Sequence, residues 1–148
     1  MEAESKRIGK AVQSEELMTK KMQGLNIHLH IPIEQRIKHL VSEYVLPYEN
    51  EPWYYDKISD GLDKVLRWVK SEEIKKMLVE TLVNRNYQEM IRILLEHYYD
   101  PRYNHARKEY EGEFIDIFAE EPNEAAEKIA IELKNTLFKR DKTLENQF

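Results

Sequence analysis

The sequence contains no cysteine, and this absence excludes several kinds of chemistry at once. Disulfide bonds, thiolate nucleophiles and cysteine-ligated metal sites all need a residue that the 148-residue chain does not have. Long apolar runs are also missing, since no stretch approaches the roughly 20 residues that a membrane-spanning helix needs. The first residues, Met1 to Ser5, include two acids and lack the apolar core of a signal peptide. We therefore expect a cytoplasmic protein that does not enter a membrane.

Glycine is scarce as well. The four glycines are Gly9, Gly24, Gly61 and Gly112, and nowhere do they form the spacing Gly-x-x-x-x-Gly-Lys-Ser/Thr. A loop of that kind binds phosphates because its backbone N–H groups and its lysine are aimed at them. No other segment of residues 1–148 imitates it, so the sequence as printed carries no phosphate-binding loop of this type.

The charge balance is acidic, with a formal net charge of −5 when histidines are neutral. Proteins that bind nucleic acids by themselves usually cluster Lys and Arg, which replace the counterions of the phosphates. An acidic chain argues against strong autonomous binding of this kind. Lys6, Arg7 and Lys10 form a local basic patch, which is either a phosphate contact or a solvated surface.

Two short strands are predicted among many helices. In residues 26–31, apolar Ile27, Leu29 and Ile31 alternate with polar residues, and residues 113–118 show a second strand pattern. Elsewhere, apolar residues three and four positions apart predict about six helices. Their predicted starts include Ser14, Pro32, Ser71, Asn86, Asp100 and Pro122. The sequence thus predicts a mostly helical α/β fold whose two strands can be parallel neighbours.

A sheet of two parallel strands is thin, because parallel sheets normally have more strands and are covered on both faces. The order of elements is similar to the second half of P-loop kinase-like folds. In those folds a strand leads into an arginine-bearing helix, a helical lid, a last strand and a last helix. By this likeness, residues 1–148 form a single partial domain with a lid-like region at about 45–110 and a C-terminal strand and helix at 113–140.

Three segments carry more specific motifs. Residues 2–9 (EAESKRIG) have the form acidic-Ser-basic-x-Ile-Gly, residues 32–37 (PIEQRI) open the helix after the first strand, and residues 95–103 (LEHYYDPRY) contain Tyr-Tyr-Asp-Pro-x-Tyr. Together, in this order and spread over residues 2–138, they resemble the P-loop domain of tRNA 2-selenouridine synthase. The resemblance covers almost the whole chain.

The resemblance implies a role in modifying the wobble uridine of certain tRNAs. Members of that family exchange the sulfur of 2-thiouridine for selenium from selenophosphate, through a geranylated intermediate made from geranyl diphosphate. They join a rhodanese-like domain, which bears a cysteine, to a P-loop domain. Residues 1–148 have neither the cysteine nor the phosphate loop, so we expect a truncated or split form that is inactive without a partner bearing both.

The first group of candidate site residues would lie near phosphate or Mg²⁺. The resemblance places Glu2, Glu4, Ser5, Lys6 and Arg7 at the carboxyl end of a strand, where such folds bind phosphates. The alternative is a solvated terminus. Arg36, on the helix after the first strand, can reach an anion, or it pairs with a nearby acid such as Glu34 or Glu43.

The second group would contact tRNA or another substrate. Asp100 is either a functional acid or the cap of a new helix that Pro101 opens. The tyrosines stack on a base or a prenyl chain, or they pack in the core. The basic residues that follow contact tRNA phosphate or cover a solvated helix face. The candidates are Tyr98, Tyr99, Asp100, Arg102, Tyr103, His105 and Arg107.

Two further clusters are predicted to be structural. His28 and His30 share a strand face at a spacing that can bind a metal, but the sequence indicates no third ligand, so we expect no metal site. Trp53, Tyr54 and Tyr55 fall in a predicted loop, residues 45–56, and either cover a core edge or stack on a base.

Three hypotheses for the whole chain follow. The first is the tRNA-modifying role, with tRNA and a P-loop and rhodanese chain as partners. The second is a non-enzymatic helical interaction module that self-associates, because residues 27–31 would form a strand with an exposed edge. The third is a fragment without an independent role.

Overall fold

The computed structural model of the chain describes residues 7–8, 10–109 and 114–145. A short antiparallel hairpin comes first, and a parallel pair of strands is embedded among helices. The elements, in chain order, are β1 (Arg7–Ile8), β2 (Ala11–Val12), α1 (Glu15–Gln23), β3 (Asn26–His30), α2 (Ile33–Leu40), α3 (Tyr54–Leu66), α4 (Glu72–Val83), α5 (Tyr87–Leu94), α6 (Asp100–Arg107), β4 (Phe114–Phe118) and α7 (Pro122–Glu145).

The two predicted strands pair in parallel, as the sequence indicated. Their register runs from Asn26 opposite Phe114 to His30 opposite Phe118. β3 ends at His30 because Pro32, which follows shortly after, begins the next helix. Successive side chains of a strand alternate between the two faces of the sheet, so this register decides which residues of the two strands share a face.

Three predicted helix caps are confirmed. Leu17 N donates to Ser14 Oγ over 3.2 Å, Ile74 N donates to Ser71 Oγ over 3.4 Å, and Glu89 N donates to Asn86 Oδ1 over 3.2 Å. Each bond satisfies an N–H group that the first turn of a helix leaves without a partner.

The helical segment predicted from Asp100 is present as α6, but Asp100 does not start a separate helix, because one continuous helix runs from Tyr87 through Arg107. Between α5 and α6 lies a π-helical turn, Leu95–Tyr99, and Asp100 N donates to Leu95 O, five residues back. Pro101 has no N–H and its ring crowds the preceding turn, which an ordinary α-helix would not accommodate. The wider π turn relieves that conflict and lets the helix continue.

The end of α2 repeats this arrangement. Here the π turn is Val41–Val45, the first of the two in chain order, so that Leu95–Tyr99 is the second. It continues α2, Leu46 N donates to Val41 O over 2.9 Å, and Pro47 follows. In both places the proline stands two residues after the π turn. The predicted loop at residues 45–56 is therefore too long, since the π turn includes Val45 and α3 starts at Tyr54.

The main hydrophobic core lies within the helical region. It is formed by apolar and aromatic side chains that are at most 8% exposed, namely Val45, Tyr54, Leu62, Val69, Leu78, Leu82, Tyr87, Met90 and Ile93. On the sheet side, Ile37 of α2, Ile117 of β4 and Ala125 of α7 are buried. The helices α3, α4 and α5 thus carry a core of their own beside the thin sheet.

The mostly helical α/β class is confirmed. Six helices are present in the described residues when α5 and α6 are counted as the one helix they form. The β1–β2 hairpin was not predicted, and α7 reaches Glu145 rather than ending near residue 140. No helix of the described ranges is long and apolar enough to cross a membrane.

Candidate functional site

A bidentate ion pair joins α2 to α6. Arg36 Nη1 and Nη2 donate to the two carboxylate oxygens of Asp100 over 2.9 and 2.7 Å, and both side chains are about one-third exposed. The alternative partners predicted for Arg36 are wrong, and so is the capping role predicted for Asp100. Paired hydrogen bonds of this kind fix orientation as well as distance, because the guanidinium and the carboxylate are both planar. Two residues that the sequence left unconnected therefore set the position of α6.

Glu34, one of the expected partners of Arg36, contacts Arg92 of α5 instead. Glu34 Oε1 lies 2.8 Å from Arg92 Nη1, and Glu34 Oε2 accepts from Arg92 Nη2 over 2.9 Å. The hydrogen bond from Arg92 lowers the pKa of Glu34 below its usual value. Helix α2 is thus tied to the long helix by one ion pair at α5 and by another at α6.

One face of the parallel sheet carries two histidines and an acid. His28 Nδ1 lies 3.3 Å, and His30 Nε2 2.7 Å, from the same oxygen of Asp116, Oδ1. The register explains why these three side chains lie together, because His28 is directly opposite Asp116 and His30 lies two positions along β3 on the same face. Asp116 is the third group that the sequence did not indicate for the two histidines. The alternation in β4 places it on the polar face, but only the register brings it to His28.

Arg107 of α6 completes this cluster, with Nη2 at 3.3 Å from Asp116 Oδ1. The pKa of Asp116 is lowered by its hydrogen bond with His30 and by the nearby positive charges. The pKa of His28 is lowered first by burial and then by His30 and Arg107, although Asp116 opposes that shift. His28 is therefore neutral over a wider range of pH than a free histidine.

A cleft of about 450 Å³ separates this sheet face from α6. Its lining residues come from β3, the start of β4, α2 and α6. They are Ile27, His28, His30, Ile31, Arg36, Asp100, Tyr103, Asn104, Ala106, Arg107 and Phe114. The cleft brings together four of the candidates predicted from the sequence, Arg36, Asp100, Tyr103 and Arg107.

A second groove, of about 720 Å³, lies against other residues of α6, and we call it the basic-aromatic groove. The Arg102 guanidinium carbon lies 4.0 Å from the centre of the Tyr98 ring and 5.8 Å from that of Trp68. Trp68 is 69% exposed. The groove is lined by Trp68, Val69, Lys70, Ser71, Ile74, His97, Tyr98, Pro101, Arg102, His105, Ala106 and Glu109. Sequence reasoning found Tyr98, Arg102 and His105, but it missed Trp68 and Lys70, which precede α4.

Tyr99 contacts Tyr98 edge to face, with ring centres 4.9 Å apart, but it lines a third groove of about 730 Å³, the aromatic groove, among α3, α5 and the first π turn. Most of its lining is apolar or aromatic, including Tyr44, Trp53, Tyr54, Ile58, Tyr87 and Leu94. The hydroxyl of Tyr54 donates to Tyr44 O over 2.8 Å, whereas that of Tyr87 is buried without a hydrogen-bond partner in the described part of the chain. Burial raises the pKa of both phenols.

The aromatic cluster at residues 53–55 is divided between core and surface, since Trp53 is 46% exposed and both Trp53 and Tyr54 line the aromatic groove. Tyr54 is 4% exposed in the core, and the Arg85 guanidinium lies 4.9 Å from the centre of the Tyr55 ring. Tyr54 and Tyr55 belong to the first turn of α3 rather than to a loop, and Trp53 immediately precedes that helix.

The candidates nearest the N-terminus stay predictions. Glu2, Glu4, Ser5 and Lys6 lie outside the described residues, and of Arg7 only its backbone, as the first residue of β1, is described. Within the phosphate-proximal group, Arg36 is the residue whose side chain the structure describes. It is hydrogen-bonded to Asp100, and both residues line the cleft.

Comparison with known proteins gives one positive result. No curated protein and no solved structure was found to match the chain. The model of one family, described as the tRNA 2-selenouridine synthase AAA domain, matches residues 1–136. The match includes Arg36 and Asp100 as well as all three motifs on which the resemblance was based. It covers most of the 148 residues, and the chain therefore belongs to the tRNA 2-selenouridine synthase AAA domain family.

Proposed function

We propose that this chain takes part in converting wobble 2-thiouridine to 2-selenouridine in tRNA, and that it supplies the lid-like helices and a surface that contacts the tRNA. The observation that carries the proposal is the placement of α6. The Arg36–Asp100 pair fixes this helix so that Arg102 and His105 line one groove and Tyr103 and Arg107 line another.

The basic-aromatic groove supports contact with RNA. Single-stranded RNA is bound by aromatic and guanidinium planes that stack on unpaired bases, together with cations that meet the phosphates. Trp68, Tyr98 and Arg102 supply the planes, and Lys70 supplies a further cation. Glu109 is the one acidic residue among those that line the groove. A local patch of this kind can bind an anticodon loop even though the chain as a whole is acidic.

The aromatic groove supports a site for the geranyl chain. Apolar and aromatic walls suit a prenyl group, and Lys57, whose Nζ lies 5.3 Å from the centre of the Trp53 ring, offers a cation for a diphosphate. The unpaired Tyr87 hydroxyl is a donor that a bound ligand can satisfy. Geranyl diphosphate is accordingly proposed as its ligand.

The phosphate-binding loop must come from outside residues 1–148, because no glycine-rich segment of the printed sequence has the required spacing. The rhodanese cysteine must also come from outside, because the printed sequence contains no cysteine. We expect residues 1–148 to be catalytically inactive until both are supplied, with selenophosphate as the selenium donor.

A reconstitution experiment tests this role. Residues 1–148 are mixed with a chain that bears the rhodanese domain and the phosphate loop, with 2-thiouridine tRNA, geranyl diphosphate and selenophosphate. Selenium in the tRNA is measured by mass spectrometry of its nucleosides. We expect incorporation to depend on residues 1–148 and to fall with the Asp100→Asn variant, which loses the charge that holds Arg36. Equal incorporation with and without residues 1–148 would refute the proposal.

A non-enzymatic interaction module is the second candidate function, and the surface of α7 favours it. Ile131, Leu137 and Phe138 are 57–68% exposed, and in the described residues β3 and β4 each have one strand neighbour. Open strand edges and exposed apolar side chains favour association with another chain. Sedimentation velocity distinguishes the cases, since a monomer across the micromolar range that unfolds cooperatively would exclude self-association.

A further inference from the structure

The histidine–aspartate cluster on the sheet has the composition of a metal centre. Two imidazole nitrogens and a carboxylate oxygen, one from each of His28, His30 and Asp116, all lie within 4.8 Å of one another. They belong to adjacent strands paired in register, so the backbone of the sheet sets their separation. We propose that His28, His30 and Asp116 bind a divalent transition-metal ion of the Zn²⁺ type.

The two distances to Asp116 suit such an ion with little rearrangement. Zn²⁺ lies about 2.0–2.2 Å from nitrogen and oxygen ligands, so two ligands of a tetrahedral site are about 3.3 Å apart. His28 Nδ1 already stands 3.3 Å from Asp116 Oδ1. His30 Nε2 is closer, at 2.7 Å, and would move outward by about half an ångström as its hydrogen bond is replaced by two metal bonds. A side-chain rotation is enough for a change of that size.

His28 supplies the second observation. Its Nδ1 is inaccessible to solvent and has no aligned hydrogen bond, despite its position 3.3 Å from the carboxylate. A buried polar nitrogen whose nearest acceptor is poorly aligned loses much of a hydrogen bond's free energy, and native proteins seldom leave such groups. A cation held between this nitrogen and Asp116 would give it a well-aligned partner.

The ligand types favour Zn²⁺ over Mg²⁺ or Ca²⁺. Hard cations prefer sites made of oxygen ligands, whereas imidazole nitrogens suit Zn²⁺ and its neighbours in the transition series. Three protein ligands leave one coordination position for water or a substrate, as in catalytic zinc sites. His28 and His30 line the 450 Å³ cleft, and the side chains of the three ligands are 31–43% exposed, so an ion can enter from solvent.

The positive charge of Arg107 disfavours a cation at this position, and this provides a second test of the proposal. Its guanidinium lies 3.3 Å from Asp116 Oδ1, where it competes for the same oxygen and repels a cation. Arg107 stands at the end of α6 and also lies over the Phe114 ring, 4.8 Å from its centre. Removal of this charge should therefore strengthen metal binding. No such gain is expected if the two histidines have only a structural role.

The experiment uses the untagged chain and needs no tRNA, so its outcome is separate from that of the proposed function. Co²⁺ is titrated and followed by its visible absorption, and Zn²⁺ by calorimetry. We expect one ion per chain. His28→Asn, His30→Asn and Asp116→Asn should each weaken binding by more than about 100-fold, since even indirect supporting residues change affinity 10- to 100-fold. Arg107→Gln should bind the ion more tightly than the unaltered chain.

His97→Asn is the matched control, because His97 lies in the second π turn beside Glu96 and outside the cluster. Its affinity should equal that of the unaltered chain. Circular dichroism identifies any variant that fails to fold, and the gain expected for Arg107→Gln cannot arise from unfolding. The proposal is overturned if the unaltered chain binds no Co²⁺ at millimolar concentration, if His97→Asn weakens binding as much as His30→Asn, or if Arg107→Gln weakens it.

Discussion

Single residues decide how firmly the candidate site is held together, and Arg36 and Asp100 are the clearest example. Both were recognised from the sequence as candidates, but their pairing was not, because they are 64 positions apart and nothing local connects them. Lys20 and Glu16, by contrast, are four positions apart on α1, a spacing from which an ion pair can be predicted. Local spacing predicts pairs within an element, whereas pairs between elements depend on packing.

The Arg36–Asp100 pair should contribute more to stability than a surface pair. We expect a coupling free energy of about 1.5–3 kcal/mol from a double-mutant cycle with Arg36→Ala and Asp100→Ala, because both bonds are charge-assisted and partly shielded. The same cycle on Lys20 and Glu16, which are 74% and 80% exposed, should give about 0.3–0.5 kcal/mol. Urea denaturation measures both cycles. Equal couplings would mean that the pair does not hold α6.

The buried phenols predict a loss of stability in alkali. Burial raises the pKa of Tyr54 and Tyr87, so the unfolded chain loses these protons at lower pH than the folded chain does. Stability should therefore be constant below the ordinary tyrosine pKa of about 10 and should fall as the pH rises above it. Urea denaturation from pH 7 to 11 measures this dependence.

A double variant, Tyr54→Phe with Tyr87→Phe, tests the origin of that loss, since it should show a shallower decline. At neutral pH, Tyr87→Phe alone should be as stable as the unaltered chain or more so, because the hydroxyl that it removes has no hydrogen-bond partner among the described residues. Tyr54→Phe should be destabilised by about 1 kcal/mol through loss of its bond to Tyr44 O. An undiminished alkaline decline in the double variant would show that other groups cause it.

The ends and interruptions of the helices were only partly predictable from the sequence. Ser14, Ser71 and Asn86 are caps that depend on neighbours within three residues, and all three were predicted correctly. Asp100-Pro101 has an equally good local pattern for a helix start, yet the helix passes through it. The reason is tertiary: Ile93 and Leu95 are buried in the turns before the proline, and Asp100, the residue immediately before it, is held by Arg36. The π turn satisfies both demands.

Gly61 lies inside α3, beside the aromatic groove, and its role can be tested by substitution. A Cβ at this position would meet no atom within 4 Å. Gly61→Ala should therefore stabilise the chain by about 0.5–1 kcal/mol, because alanine has less backbone freedom to lose in a helix. Thermal unfolding measures the change, and a destabilised alanine variant would contradict the open space at this position.

A larger side chain at the same position tests the proposed ligand of the groove. Gly61→Phe would project a ring into the aromatic groove, so we expect it to weaken binding of geranyl diphosphate at least tenfold, measured by calorimetry. Gly61→Ala is the matched control and should bind like the unaltered chain. Equal binding by both variants would place the prenyl chain elsewhere.

At the scale of the whole molecule, the fold class was predictable from the sequence, whereas the contacts between its helices and strands were not. Two strands separated by helices indicated parallel pairing, because such a connection is long enough to cross over. The register was not predictable, and it is the register that brings Asp116 to His28. Trp68 likewise gave no local signal of its proximity to Arg102, which depends on how the connection between α3 and α4 packs against the second π turn and α6.

The tRNA affinity of residues 1–148, measured at several salt concentrations, shows whether the basic-aromatic groove contacts tRNA. We expect Arg102→Ala to weaken binding and to reduce the slope of log affinity against log salt by about one unit, as loss of one phosphate contact would. Trp68→Ala should weaken binding by about fivefold or more without changing that slope, because stacking releases no counterions.

Lys20→Ala removes an equal charge from α1, none of whose residues line the groove, and is the matched control. We expect Arg102→Ala and Trp68→Ala to bind tRNA more weakly than Lys20→Ala, which should behave like the unaltered chain. Contact between the groove and tRNA would be refuted if all three variants bound tRNA as tightly as the unaltered chain, or if Lys20→Ala weakened binding as much as Arg102→Ala.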